Sequence, residues 1–143
     1  MKRIILLFAL TVICMHGFSQ QPNLTVKGRI MEGKKNLKDA TIIVYKNNKV
    51  VTQFTPTNGK FTMQFTYDES YVLEFSKQGY VSKKLEINTN NITLAANKYG
   101  FEYSGFAVKL FKEKEGTDYS NFEDPVVLIS YCECVDKFVY RKL

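Results

Sequence analysis

The chain has 143 residues, of which 45% are apolar and 24% are charged, and its formal net charge is +6. This length fits one ordinary domain, and the apolar fraction is enough for a hydrophobic core, which excludes wholesale disorder. The only arginines are Arg3, Arg29 and Arg141. Because bidentate recognition of phosphates and base edges favours arginine, this dispersed, lysine-rich charge argues against nucleic-acid binding.

The first residues have the pattern of an export signal. Two basic residues precede an apolar run, residues 4–14, that is too short to span a bilayer comfortably. Gly17 and Ser19 are small residues with the spacing that a cut after Ser19 requires. We therefore predict a signal peptide over residues 1–19. The product would be exported to the periplasm, associated with the outer membrane or secreted, and it would have no stable membrane span.

Removal of the signal would change the chemistry that is available. The only histidine, His16, would be lost together with Cys14. Without histidine, neither a Ser-His-Asp nor a Cys-His catalytic site can form. The acidic loop at residues 117–124 lacks the residue order and central glycine of an EF-hand. We therefore predict that the chain is not an enzyme and that it has no cofactor and no metal site.

From Asn23 onward, apolar and polar residues alternate, which is the pattern of half-buried strands. The clearest run covers residues 61–67, and further runs follow the same rule as far as Ile87. Asn47-Asn48 and Asn58-Gly59 carry hairpin-turn signals. Short strands between turns, with no convincing helix, predict an all-β, antiparallel, Greek-key-like β-sandwich.

The stretch SKQGYVSKKLEI, residues 76–87, allows two interpretations. It is either a turn followed by a strand, or a basic and aromatic binding patch at a loop tip. Gly79 lies where the chain must reverse, and the apolar residues after it alternate. Lys83 falls on the apolar face, so we expect it near a strand end with its stem buried. These features favour the turn and strand.

Residues 91–143 are less regular. The segment FAVKLFKEKEG is predicted to form a strand, or a short helix that ends at Gly116. The segment VVLISYCECVDKFVYRKL predicts a hairpin with its turn near Val135-Asp136. We therefore predict a β-sandwich domain over residues 20–90, and a C-terminal β-hairpin extension over residues 91–143 that packs on it.

Four motifs follow one another in a recognisable order: VKGRI with Gly28, LKDATIIVY, TNGKFTMQF with Gly59, and YVLEFSKQGYVSKKLEI with Gly79. In this order and spacing, residues 24–88 resemble the carboxypeptidase regulatory-like domain, a transthyretin-like (prealbumin-like) β-sandwich. The end of the signal and the SQQ sequence at residues 19–21 resemble envelope proteins of Bacteroidetes-type bacteria. The resemblance implies a non-catalytic module of the cell envelope, which makes protein-protein contacts or assists assembly with an envelope protein partner.

An aromatic segment, KYGFEYSGF, suggests an alternative function. Its candidate binding residues are Tyr99, Phe101, Tyr103 and Phe106. They fit either ordinary strand packing or an aromatic surface that stacks on a saccharide, a peptide or a partner protein. The alternative function is therefore a small-ligand binding module.

Cys132 and Cys134 form a C-x-C pair. Two thiolates are too few for a zinc site without further ligands. Thiols of exported proteins tend to oxidise, but residues two apart on one strand are poorly placed for an unstrained disulfide. We expect two reduced, buried thiols. A local disulfide near a turn and a disulfide to a partner are the alternatives.

Overall fold

The computed structural model describes residues 22–93 and 98–143. The predicted signal peptide, residues 1–19, therefore lies outside the described residues. Within the described part, ten strands form two sheets, and the only helix is a 3₁₀ turn at Ser120–Phe122. None of the described residues forms a helix long and apolar enough to cross a bilayer. The predicted all-β sandwich is confirmed.

The strands in chain order are β1 (Asn23–Glu32), β2 (Lys35–Asn36), β3 (Thr41–Lys46), β4 (Lys49–Phe54), β5 (Lys60–Thr66), β6 (Ser70–Ser76), β7 (Lys83–Asn88), β8 (Phe101–Lys109), β9 (Pro125–Cys132) and β10 (Lys137–Lys142). In the first sheet, β1 is central and pairs with β2, β5 and β8. The second sheet has the order β10-β9-β7-β6-β3-β4.

Two of the strand pairs are parallel, namely β1 with β8 and β7 with β9, whereas the other pairs are antiparallel as predicted. The chain leaves the second sheet after β7, forms β8 in the first sheet, and returns to the second sheet as β9. Neighbouring parallel strands need such a crossover, because a tight hairpin can only reverse the chain.

The core lies between the inward faces of the two sheets. On β1, Leu24, Val26 and Ile30 are completely buried, and on β6, Leu73 and Phe75 are. Strand β5 alternates strictly between exposed and buried residues, as its sequence predicts. Burial of each such side chain stabilises the fold by about 1.5–3 kcal/mol.

The two predicted hairpin turns have different outcomes. Asn47-Asn48, with φ angles of 51° and 60°, joins β3 to β4 as expected. The prediction of a hairpin at Asn58-Gly59 is wrong, because the flanking strands β4 and β5 do not pair with each other. Strand β4 pairs with β3, whereas β5 pairs with β1. The Gly59 carbonyl accepts a 2.7 Å hydrogen bond from Ile30 N–H, and a Cβ on Gly59 would lie 2.5 Å from the Leu37 carbonyl oxygen. This glycine allows three backbone segments to meet where the chain changes sheets.

The SKQGYVSKKLEI segment is a turn and a strand, as the favoured interpretation predicts. Gly79 has a φ of 79° in the turn, and β7 begins at Lys83. The Lys83 ammonium lies 5.0 Å from the ring centroid of Phe111 and 5.6 Å from that of Phe122. Lys83 is thus half-buried at a strand end, as expected.

The C-terminal strands belong to the same two sheets. In the segment FAVKLFKEKEG, residues 106–109 belong to β8, which extends the first sheet, and the rest of the segment forms no helix. The predicted C-terminal hairpin is present as β9 and β10, with its turn at residues 133–136, and it extends the second sheet. The domain boundary at residue 90 stays a prediction. In each sheet, a strand that precedes residue 90 pairs with a strand that follows it, namely β1 with β8 and β7 with β9.

Thr89 is a buried polar residue with no exposed surface. Its hydroxyl lies 2.8 Å from the Thr66 carbonyl oxygen and 3.0 Å from that of Glu69, and it accepts a 3.1 Å hydrogen bond from Glu69 N–H. Its backbone N–H donates a hydrogen bond to the Glu69 carbonyl oxygen, and its carbonyl oxygen accepts one from the Asp68 N–H. Thr89 thus fixes the turn that carries the chain from one sheet to the other between β5 and β6.

We expect Thr89→Val to lower the free energy of unfolding by about 1–3 kcal/mol, because the isosteric methyl leaves buried backbone groups without their partner. Denaturant unfolding would measure the change. Thr62→Val on the exposed face of β5 is the matched control and should change stability by less than about 0.5 kcal/mol. Equal effects of the two substitutions would contradict the role of the Thr89 hydroxyl.

Candidate functional site

A cleft of about 470 Å³ opens between the sheets, where β8 of the first sheet faces β9 and β10 of the second. This volume lies within the range of small-molecule sites, roughly 300–1,000 Å³. Its walls are mainly apolar and aromatic, and they include Phe75, Leu85, Tyr103, Phe106, Ile129 and Tyr140. The cleft is the candidate site because it is concave and combines apolar walls with a few polar groups.

A β-bulge in β8 shapes one wall of the cleft. Lys27 pairs with Ser104 and Gly28 pairs with Phe106, which leaves Gly105 as one extra residue with a φ of +86°. Side chains of a strand alternate between faces, so an extra residue resets the alternation. As a result, Tyr103 and Phe106 both face the interior although they are three positions apart.

The wall behind Phe106 is tightly packed. The rings of Phe61 and Phe106 meet edge to face at a centroid distance of 5.7 Å. They lie directly over Gly28 of β1. A Cβ at this glycine would be 2.7 Å from Phe61 Cζ and 3.0 Å from Phe106 Cε1. The missing side chain at position 28 therefore makes room for the two rings.

The four aromatic residues predicted from KYGFEYSGF do not form one surface. Tyr103 and Phe106 line the cleft, with their ring centroids 5.8 Å apart. Phe101 packs instead between Tyr131 and Phe138, at 5.5 Å from each ring. Tyr99 is 82% exposed in the turn before β8 and does not line the cleft.

Two tyrosines, Tyr103 and Tyr140, line the cleft. Burial raises the pKa of Tyr103, and the neighbouring Tyr140 raises it further. Tyr140 comes from β10 of the other sheet, so the cleft is lined by one tyrosine from each sheet. Each phenol hydroxyl can donate and accept a hydrogen bond and could therefore contact a ligand.

Lysines surround the cleft, and sequence analysis did not detect this arrangement. Lys83, Lys84, Lys109 and Lys142 are lining residues, and none of the lining residues is acidic. They come from three strands that are separated in the chain, so no local motif signals their convergence. Lys84 donates a 2.7 Å hydrogen bond to the Glu123 carbonyl oxygen, whereas burial lowers the pKa of Lys83.

The expectation of two reduced, buried thiols is wrong in this structure. Cys132 and Cys134 form a disulfide, and Cys134 is exposed. Cys132 ends β9 and Cys134 lies in the turn that follows, so the chain bends between them. Their Cα atoms are consequently 5.3 Å apart, within the usual range for a disulfide. A straight strand would hold these two residues too far apart for such a bridge, and the bend removes that obstacle.

The acidic loop at residues 117–124 uses its carboxylates locally. The Asp118 carboxylate accepts hydrogen bonds from Ser120 N–H at 2.9 Å and from Ser120 Oγ at 3.1 Å. These bonds lower the pKa of Asp118. In the part of the chain that the structure describes, no three His, Cys, Asp or Glu side chains are grouped so that they could hold a metal ion.

No family model matches the chain, and no curated protein matches it. Among solved structures, it is similar to 3-chlorocatechol 1,2-dioxygenase from Rhodococcus opacus 1CP, with 13% identity and a TM-score of 0.47 over 69% of this chain and 63% of that one. It is similar to catechol 1,2-dioxygenase from Acinetobacter sp. ADP1, with 11% identity and a TM-score of 0.47 over 72% of this chain and 57% of that one.

A third similar structure is the pilus 2b backbone protein of group B streptococcus, with 17% identity and a TM-score of 0.41 over 64% of this chain and 42% of that one. The chain thus spans less than two thirds of the length of each of these proteins. At such identities and TM-scores, the similarities carry no argument about activity.

We expect Gly28→Val to lower the free energy of unfolding by about 1–3 kcal/mol, because the new side chain overlaps the Phe61 and Phe106 rings. Phe61→Leu removes the atom nearest to the new Cβ. In a double-mutant cycle measured by denaturant unfolding, the cost of Gly28→Val should therefore be smaller in the Phe61→Leu background. If the costs of the two substitutions are independent and additive, the Phe61 ring does not restrict the size of the side chain at position 28.

We expect the purified protein from an oxidising compartment to show no free thiol when unfolded without reductant, and two after reduction. The Cys132→Ser, Cys134→Ser double variant should lose about 1–2 kcal/mol of stability, because the closed loop is very short. The reduced parent protein should be equally destabilised. Free thiols in the untreated protein would contradict the disulfide.

Proposed function

We propose that this chain is an exported, non-enzymatic binding module of the cell envelope, and that its ligand binds in the cleft between β8 and the β9–β10 hairpin. One observation carries the proposal, namely a concave, mainly apolar cleft of about 470 Å³ that is lined by one tyrosine from each sheet. Aromatic walls with a few polar groups are typical of sites for small ligands. The cleft therefore supports the small-ligand function, for a saccharide, a peptide or another small molecule.

We also propose that residues 20–90 are a carboxypeptidase regulatory-like, transthyretin-like domain. Support comes from the ordered motifs of residues 24–88, which correspond to β1 through β7. Gly59 and Gly79 of those motifs both have positive φ angles in turns, as a turn glycine requires. The envelope location depends on the predicted signal at residues 1–19.

Protein-protein contact is the second candidate function, and the edge strand β4 favours it. Among the described strands, β4 pairs only with β3, so its other edge is open. Val50 and Val51 on this strand are 56% and 54% exposed. An open edge with exposed β-branched residues can add a strand from an envelope protein partner.

The test of ligand binding uses the protein from Gln20 onward on saccharide and peptide arrays. We expect Tyr103→Ala to weaken binding of any hit by about ten-fold or more, because it removes an aromatic wall of the cleft. Tyr99→Ala is the matched control, since Tyr99 is exposed outside the cleft and its loss should leave binding unchanged.

Two outcomes would overturn the ligand-binding function. One is equal loss of binding in the two tyrosine variants. The other is the absence of any array hit together with one envelope protein captured by crosslinking, where the capture is lost in a Val50→Lys, Val51→Lys variant. The second outcome would establish protein contact through β4 instead.

A further inference from the structure

We propose that the ligand of the cleft is a small amphipathic organic acid, in which a carboxylate is attached to an aromatic or aliphatic body. Lys83 and Lys142 would bind the carboxylate, and the apolar walls would bind the body. This inference rests on the proposed function of the cleft and adds the chemical class of its ligand.

The two lysines lie on the inward faces of their strands. Lys83 lies on the face of β7 that carries Leu85 and Ile87, both of which are buried. Lys142 lies on the face of β10 that carries the buried Phe138, because alternate residues of a strand share one face. Both lysines therefore occupy positions on the side of their strands that faces the opposite sheet. Lys83 is half-buried there, whereas Lys142 is exposed at the margin of the cleft.

Among the described residues, no countercharge is paired with these two lysines. The described residues form two ion pairs, Lys27 with Glu102 and Lys46 with Glu69, and both lie away from the cleft lining. No carboxylate of the described residues forms an ion pair with Lys83 or Lys142, and no acidic residue lines the cleft. Lys84 and Lys109 also belong to the lining, so the charged lining residues are all positive, and charge complementarity favours an anionic ligand.

Two aromatic rings contact the ammonium of Lys83. Its ammonium faces the rings of Phe111 and Phe122, at 5.0 and 5.6 Å from their centroids. These contacts orient the ammonium but supply no acceptor oxygen. An adjacent carboxylate on a ligand would offset the partial desolvation that lowers the pKa of Lys83, since the described residues supply no carboxylate partner for it.

The body of the ligand is specified by the remaining walls. Phe106 and Val108 of β8 face Leu85, Val127 and Ile129 of the second sheet across the cleft. An apolar group between these side chains would bury surface that now faces solvent. Tyr103 and Tyr140 could donate hydrogen bonds to the second carboxylate oxygen. A strongly hydrated ion with no apolar part would use the lysines but leave the walls unused.

The test compares naphthylacetate with the neutral naphthylacetamide, which has the same ring and nearly the same shape. Binding to the protein from Gln20 onward is measured by NMR titration of backbone amides. We expect naphthylacetate to shift the amides of β8 and β10 and to bind about ten-fold or more tightly than the amide, because charge-assisted hydrogen bonds are stronger than neutral ones.

Lysine variants locate the anion. Lys142→Gln should weaken naphthylacetate binding by about ten-fold and leave naphthylacetamide binding unchanged. Lys83→Gln should act in the same way, and the Lys142 variant tests the inference alone if loss of Lys83 disturbs the packing of Phe111. Lys49→Gln and Lys60→Gln, on β4 and β5 outside the cleft lining, remove the same charge elsewhere and should leave both affinities unchanged.

The outcomes separate this inference from the proposed function. Equal affinities for acid and amide at the cleft would overturn the acid while supporting the cleft as a binding site. Equal weakening by the cleft and control lysine variants would show a net-charge effect and would also overturn it. In a third outcome, neither probe shifts the cleft amides while a neutral array hit depends on Tyr103. That outcome would overturn the organic acid as the ligand and would still support ligand binding in the cleft. If neither probe binds and no array hit exists, both fail.

Discussion

The hydrogen bonding of β1 on both of its edges is the constraint on which the rest of the structure depends. Residues 24–29 pair with β5 on one side and with β8 on the other. The same strand directs Leu24, Val26 and Ile30 into the core with no exposed surface. Because its backbone groups are satisfied laterally and its apolar side chains are covered by the second sheet, β1 fixes the position of both neighbours. Gly28 belongs to this constraint, since a larger residue would separate β1 from the rings above it.

The cleft is a consequence of where the first sheet ends. Strand β8 is hydrogen-bonded only to β1 among the described strands, whereas β9 and β10 extend the second sheet opposite it. The inward side chains of β8 are therefore incompletely covered, and the bulge at Gly105 turns two aromatic residues toward the opening. Lysines at the ends of β7 and β10 then provide charge at the margin. The same strand ends that limit the core thus create a concave surface with both apolar and cationic parts.

The sequence predicted the elements well and their assembly less well. Alternation located the inward residues of β1, β5 and β6, because the period of two reports directly on burial. It could not show that Asn58-Gly59 joins two sheets, because a turn dipeptide encodes a local backbone shape and not the partner of the next strand. It also grouped Tyr99, Phe101, Tyr103 and Phe106 by proximity in the chain, whereas the structure separates them by the alternation and the bulge of β8. The cleft lysines were missed because they converge only through long-range pairing.

The pairing of β1 with β8 also has a consequence for the order of assembly. Residue 24 cannot complete its second ladder until residue 101 is available, so closure of the first sheet waits for the last third of the chain. Long-range pairings of this kind are slow to form, because the intervening chain must be ordered first. During that interval, one side of β1 carries unsatisfied backbone donors and acceptors next to an apolar face. A chain truncated near residue 90 would keep this edge permanently, and it would be prone to associate with a second copy through the ladder that β8 normally occupies.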